Sequence, residues 1–464
     1  MKINYKLDKL GGIVNELKKA IKNTIYENHI YLTGGTVRDF LLNRPIKDID
    51  ICVDIPNGGV NFANWICEEF GCKTPHNPIQ FPSYNTAKFN IKTITKFADI
   101  HIECVQTRKY KQGTNTKKII EFGTINDDAQ IRDLTINSLY INISTDELID
   151  PTKKGKYDLE NHIIRTNHPS TTFDDDPLRI LRVIRLATEL NWGIEKYTWC
   201  GIIINAYQLP IVPQENISQE INKILLTSNP SIGIDRLLKS GILQIILPEI
   251  HQLVGLKQGK QHFGDVYQHT LSVVNATQSN IKHRWAGLLH DIGKITTQTI
   301  VNNNTVHFYQ HETQGLMTAY HILKRFKIPL KDIKEIGFAI KYHMFFKQTP
   351  KPSIKRIKKF MNISPEYNDI MLDIIHADNI SHADNFNMPN QVPYIREKIN
   401  ALQLAEQNCT PCPINGEDIM KAFNLKPSKE IGALIKMATS YYKEHNNATK
   451  DEIIQYLYQE NFKS

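Results

Sequence analysis

The spacing of hydrophobic and polar positions changes character twice along the chain. Gly11 to Glu27 places apolar residues at helical spacing and predicts an amphipathic helix. A short apolar run, Ile30 to Thr33, follows and stops at Gly34-Gly35, the pattern of a strand that turns directly into a helix. Ile49 to Val53 and Asp99 to Val105 alternate polar and apolar, as strands of one half-buried sheet do. From Pro177 the period becomes helical: Leu178, Leu181, Ile184 and Leu186-Ala187 share a face, and similar patterns recur to the C-terminus. The fold class that follows is α+β, with a small mixed sheet in the N-terminal part and helices after it. Pro210 with Pro213, Gly255 to Gly264, and Asn385 to Pro393 have the composition of linkers.

A chain of 464 residues exceeds what one core usually holds, so several domains are expected. The 56 Lys plus Arg against 48 Asp plus Glu leave a charge of +8, which suits a polyanionic partner. Lysine supplies most of that charge, so the trio Arg179, Arg182 and Arg185 stands out from its background. Seven scattered cysteines suggest no disulfide framework and fit a reducing compartment. No apolar run approaches the length of a bilayer, and a soluble, cytoplasmic protein with no membrane partner is expected.

Three constellations carry chemistry. Two glycines between a strand and a helix, Gly34 and Gly35, let backbone N–H groups approach a phosphate, and Arg38 follows on the new helix. In Lys47-Asp48-Ile49-Asp50, carboxylates at i and i+2 project from one face of a strand and can hold Mg²⁺, the ion that gathers triphosphate charge in phosphoryl transfer. Glu103, on the later strand, offers a third carboxylate but reads as an ordinary exposed strand residue. In Asp174-Asp175-Asp176-Pro177-Leu178-Arg179, Pro177 suits the first turn of a helix and sets Asp176 and Arg179 about one turn apart. Alone they read as an N-cap and a solvated arginine. Together, a carboxylate that accepts and a guanidinium that donates match the amino and ring-nitrogen groups of C and A, and mismatch G and U. Finally His269, His290-Asp291 and Asp378, with His311 and His343 between them, can bind one or two divalent metals, Mg²⁺ or a transition metal. Lys351 to Lys359 reads as a solvated basic helix face, with RNA phosphate contact as the alternative. Cys409-Thr-Pro-Cys412 lacks the partner pair a zinc site needs.

Gly34-Gly35-x-Val37-Arg38-Asp39 followed by Asp48-x-Asp50 resembles the signature of class II CCA-adding enzymes and bacterial poly(A) polymerases. Gly123 to Asp128, Arg132-Asp133 through Asn137 and Leu139, Leu148-Ile-Asp150 and Ile164-Arg165-Thr166 continue that resemblance in order over roughly residues 30–190. It implies a nucleotidyltransferase head over 1–150, a helical neck over 151–255, an HD domain over 256–390 and a helical tail over 391–464. It also implies that Asp48 and Asp50 hold Mg²⁺ and that Gly34, Gly35, Arg38 and Arg132 contact nucleotide. Asp176 and Arg179 would read the base, with Arg182 and Arg185 toward the triphosphate. The residues alone would equally pair Arg132 with Asp133. Ile131-Arg132 stands where the family usually has two arginines, Asp175-Asp176 where it has Glu-Asp, and Ser428 where a glycine is common. The histidine set resembles HD-superfamily phosphohydrolases, which implies His269, His290, Asp291 and Asp378 as ligands, with His311 and His343 for a second metal. The expected activity is addition of C and A to the tRNA 3′ end from CTP and ATP. Poly(A) polymerases and CC- or A-adding enzymes share every motif. The readings from other classes are an HD phosphohydrolase with an inert head and a non-catalytic RNA-binding protein.

Overall fold

A computed structural model describes residues 12–46, 48–91, 100–112, 118–259, 264–301, 305–407, 412–445 and 448–461. Gly11, Lys47, Asp99, residues 260–263 of the expected linker, and Cys409 lie outside the described residues. The chain divides into two compact units, Met1–Phe345 with Asp369–Asn387, and Phe346–Asn368 with Met388–Ser464.

The first unit opens with α1 (Gly12–Ile21), which buries Ile13, Val14, Leu17 and Ile21 on one face. β1 (Ile30–Leu32) leads through the double glycine into α2 (Gly34–Leu41), then β2 (Asp48–Val53) and α3 (Gly58–Glu69). Next come β3 (Ile79–Phe81), β4 (Thr86–Ile91) and β5 (Ile100–Gln106), and a separate hairpin of β6 (Arg108–Gln112) and β7 (Lys118–Phe122). α4 (Ile125–Ile131), β8 (Tyr140–Asn142) and β9 (Leu148–Ile149) complete the sheet-bearing part. The sheet has seven strands in the order β3-β4-β5-β2-β1-β8-β9. β2 and β5 run parallel, whereas β1–β2 and β4–β5 are antiparallel, so the sheet is mixed. It is larger than the alternating segments foretell, because β8 and β9 are too short to show a period and β3 is exposed throughout. α3 packs on β4 and β5, and its Phe62 and Ile66 are fully buried, each worth about 2 kcal/mol of apolar transfer.

α5 (Gly155–Glu160), α6 (Pro169–Asp175) and α7 (Leu178–Leu190) follow. α7 buries Ile180, Leu181, Val183, Ile184, Leu186 and Ala187, and packs on the helices Gln214–Leu225 and Pro230–Lys239. The helical expectation holds here with two exceptions. Ile163–Ile164 pairs in parallel with Gly193–Ile194, and Gln298–Val301 forms a hairpin with Thr305–Phe308. Runs of two and four residues are too short to announce themselves by periodicity. The helices Val266–Ala276, Ile281–Leu289, His311–Arg325, Leu330–Tyr342 and Asn368–Ile380 carry the histidine-rich region.

In the second unit, helix Ile354–Met361 buries Ile357 and Phe360 and leaves Lys355, Arg356, Lys358 and Lys359 exposed. The helices Gly416–Phe423, Lys429–Glu444 and Lys450–Asn461 close a small core of Ile419, Leu434, Ala438, Ile453 and Leu457. Among the described residues, no helix is long and apolar enough to cross a membrane.

Candidate functional site

The β1–α2 turn and the start of β2 meet. Gly34 takes a left-handed conformation at φ +62°, and a side chain there would place its Cβ 2.8 Å from Asp50 Oδ2. The Gly35 N–H donates to that same oxygen at 3.0 Å. Thr36 ties the arrangement from the other side: its hydroxyl donates to the Asp48 carbonyl at 3.1 Å and accepts from the Asp50 N–H at 2.7 Å. Asp48 is exposed, Ile49 buried and Asp50 half-buried, so the two carboxylates share the solvent-facing side of β2.

Glu103 is not an isolated surface carboxylate. Strand register puts Asp50 opposite Glu103, and Glu103 opposite Lys88. A second row joins Asp48, His101 and Asn90. Side chains directly across a sheet share a face, so three acids, a lysine and a histidine occupy one patch. Burial, followed by the charge of Glu103, pushes the Asp50 carboxyl above the ordinary aspartate range. Lys88 Nζ sits 2.9 Å from Glu103 Oε2. These groups line a cavity of about 1000 Å³ that also reaches Cys72, His76, Asn77 and Ile79.

Arg38 is buried, donating to both Asp39 oxygens and, at 2.9 Å, to Asn137 Oδ1. Arg132 does not pair with Asp133. Its Nε donates to Asp128 Oδ2 at 2.7 Å and to the Tyr140 hydroxyl at 2.9 Å, and its charge acts on Asp50. Asp133 instead receives Arg182 through Nε at 2.9 Å and Nη2 at 2.7 Å. Burial opposes ionisation of Asp133, but Arg182, Asn137 and Arg179 outweigh it and hold the carboxyl well below the ordinary range.

On α7 the three arginines part company. Arg185 pairs with Glu220 at 2.6 Å and Glu189 at 3.2 Å. Arg179 lies 3.9 Å from Asp176, and its Nη1 is buried with no hydrogen-bond partner among the described residues. Asp176 accepts from the Leu178 N–H at 3.0 Å, so it caps the helix while half its side chain stays exposed beside Arg179.

The histidine-rich region converges on Asp291. Its oxygens lie 3.2 Å from His290 Nε2, 3.3 Å from His311 Nε2, 3.8 Å from His269 and 3.9 Å from His343. Asp378 contacts His269 Nε2 at 2.9 Å. His290, His311 and His343 each engage a backbone carbonyl through Nδ1, which turns Nε2 inward. Gly293 permits the close fit, since a Cβ there would fall 2.0 Å from the His311 carbonyl oxygen. Burial, with His311 and His290 beside it, brings His343 down to about 3. Burial likewise lowers His269. Burial pulls His290 down as well, but Asp291 and Asp378 outweigh it and raise that imidazole, so a metal binding there would displace a proton. His290 Nε2 lacks a hydrogen-bond partner among the described residues, as an atom reserved for a cation would. Lys294, 2.6 Å from Asp291 Oδ2, and His382, whose Nδ1 engages the Asp378 carbonyl at 2.7 Å, also belong to the cluster and escaped the sequence reading. Their signals were positional: Lys294 stands three residues after Asp291, and His382 one helical turn after Asp378.

The family description "Poly A polymerase head domain" matches residues 30–165, "Probable RNA and SrmB- binding site of polymerase A" matches 192–253, and "HD domain" matches 266–388. The Multifunctional CCA protein of Haemophilus ducreyi is 32% identical over 341 residues, covering 68% of this chain and 75% of that protein. The chain belongs to this CCA-adding nucleotidyltransferase family. Another family member, the A-adding tRNA nucleotidyltransferase of Deinococcus radiodurans, is 27% identical over 67% of this chain and 74% of its own. The fold resembles the Bacillus stearothermophilus CCA-adding enzyme solved with CTP, at TM-score 0.62 and 20% identity over 98% of both chains. The Thermotoga maritima CCA-adding enzyme complexed with tRNA(CCA) is similar at TM-score 0.54 and 19% identity, covering 99% of this chain and 100% of that one.

Proposed function

We propose that the chain is a template-independent tRNA nucleotidyltransferase that adds C and A to the 3′ end from CTP and ATP, releasing pyrophosphate. The observation that carries this is the fit of Asp50 against the Gly34-Gly35 turn, beside Asp48 and Glu103. Three carboxylates on one patch, one of them pushed up by burial and by the charge of Glu103, suit Mg²⁺, held by Asp48 and Asp50 with Glu103 as the third donor. When bound, that ion stabilises charge on the triphosphate oxygens and the attacking hydroxyl. The chain's own groups do the rest. The amide-rich start of α2 receives phosphate oxygens, with Arg38 bracing the turn and Arg132 adding positive charge toward Asp50. Asp176 and Arg179 present an acceptor and an unpaired donor to the base edge. Arg182 fixes that reader to the head through Asp133, while Arg185 holds α7 to Glu220. The reading assigns 1–150 to the head, 151–255 to the neck, 256–390 to the HD domain and 391–464 to the tail. It also places the protein in the cytoplasm.

The test offers transcripts ending before CCA, after one C and after two, each with single nucleoside triphosphates, and reads product length on a gel. Stepwise C, C, A addition is expected, with Asp48→Ala and Asp50→Ala each lowering incorporation by about a thousandfold or more. Runs of A alone, or arrest after CC, would instead make the chain a poly(A) polymerase or a partial adder. Incorporation retained in both variants would refute the carboxylate assignment.

A second reading rests on the Asp291 cluster: hydrolysis of a phosphoester in the HD region. His269, His290, Asp291 and Asp378 would hold one divalent ion, and His311 and His343 with Asp291 a second, Mg²⁺ or a transition metal. Bound there, metal supplies an activated water, and Lys294 supplies the buried positive charge a phosphate needs.

A further inference from the structure

The strand order orients the nucleotidyl-transfer cavity. Reading across the sheet, the Gly34-Gly35 turn leaves from β1, Asp48 and Asp50 stand on β2, Glu103 on β5 and Lys88 on β4. The acids therefore lie between the glycine turn and the lysine. In-line displacement puts the attacking hydroxyl opposite the leaving pyrophosphate. If the triphosphate sits on the turn, as the proposed function has it, the RNA end enters from the β5–β4 side. That side meets an incoming polyanion with the Glu103 carboxylate, and Asp48 and Asp50 stand next to it on β2. Lys88 is the sole Lys or Arg among the described residues lining the cavity, and adjacent strands set it about 10 Å from Asp50 at the backbone.

We propose that Lys88 is a positioning residue for the RNA substrate: its ammonium holds the last phosphodiester of the 3′ end over the β5–β4 half of the cavity. The ion pair with Glu103 does not oppose this. Lys88 is 54% and Glu103 41% exposed, so their 2.9 Å pair is solvent-screened and exchanges readily for a phosphate. Glu103 in turn becomes free to join Asp50. His101, in the row beside Glu103 and engaged by Asn90 Oδ1, gives the same half of the cavity a flat ring for the terminal nucleotide.

This inference rests on the nucleotidyl-transfer reading, and the experiment separates the two. Lys88→Met and Lys88→Arg are compared with the parent for binding of tRNA lacking CCA, by fluorescence anisotropy at several salt concentrations. CTP binding is followed by equilibrium dialysis. The expected result for Lys88→Met is RNA binding weakened about fivefold to tenfold, a log–log salt slope reduced by about 0.7, and unchanged CTP affinity. Lys88→Arg should restore RNA binding, and the KM for RNA should rise in Lys88→Met while the KM for CTP does not. RNA binding and salt slope equal to the parent's overturn the proposal. So does a loss confined to CTP, which would put Lys88 on the triphosphate. A parent that extends no tRNA with CTP removes the underlying reading instead.

Discussion

Asp50 is held from the β1–α2 turn through both its side chain and its backbone. The Gly35 N–H and the Thr36 hydroxyl fix its carboxylate and its backbone, and Gly34 gives up a side chain so that Oδ2 can approach. Gly34→Ala adds a methyl group where 2.8 Å is available and forces L-residue backbone into the left-handed region. A loss of about 1–2 kcal/mol in stability and about a hundredfold in CTP incorporation is expected, since small misplacement of a reacting group is costly. Thermal melting and single-turnover incorporation check both. Parental rates in a variant that melts lower would show that Asp50 tolerates displacement. The Gly-Gly turn and the Asp48-Asp50 pair were legible because both are local, governed by residues within two positions of each other. The parts of Glu103 and Lys88 were not, because β-register across strands some fifteen and fifty residues apart sets their neighbours.

At the scale of one element, α7 carries three arginines at equal spacing that only the resemblance tells apart in the sequence. Their partners differ: Glu220 for Arg185, Asp133 for Arg182, and none within hydrogen-bond reach of Nη1 for Arg179 among the described residues. A buried donor left unsatisfied costs about 1–3 kcal/mol until a ligand meets it. Arg179→Ala and Asp176→Ala should therefore relax rejection of UTP and GTP by about tenfold or more, measured as ratios of kcat/KM. Discrimination as sharp as the parent's would end the base-reading role. Arg182 makes a different prediction. Asp133 is held below its ordinary range in the fold, so the pair contributes stability that is present above the unfolded aspartate pKa. That stability is lost as pH falls toward and through the depressed folded value. Arg182→Met strands an almost fully buried carboxylate and should destabilise the chain by about 2–3 kcal/mol at neutral pH, less than a fully buried pair because Arg182 is 42% exposed. Urea midpoints from pH 7 to pH 3 should converge between parent and Arg182→Met. Midpoints separated by the same interval throughout would mean that the ion pair is not the source.

At the scale of the whole molecule, two chemical centres share one compact unit without sharing a residue. The transfer cavity is lined from β2, β3, β4, β5 and the segment after α3, whereas the Asp291 cluster is drawn from helix ends spread from His269 to His382. The order of those histidines along the chain was readable and the resemblance implied that they converge, whereas periodicity alone predicts helices, not which helix ends meet. Gly293 decides that meeting, because the backbone at His311 can approach only where a side chain is missing. Independence of the centres follows from the separate elements, since distant sites with no common partners combine additively. His290→Gln should abolish divalent-metal binding in the HD region, read by metal content after dialysis, together with hydrolysis of bis(p-nitrophenyl) phosphate. It should leave CTP incorporation within about twofold of the parent. Asp50→Ala should do the reverse. A His290→Gln protein that melts like the parent but loses both activities would tie the centres together. One that keeps its metal would remove His290 from the cluster's ligands. One that loses metal while the parent itself hydrolyses nothing would leave the region a metal-braced scaffold, and the transfer reaction the chain's single chemistry.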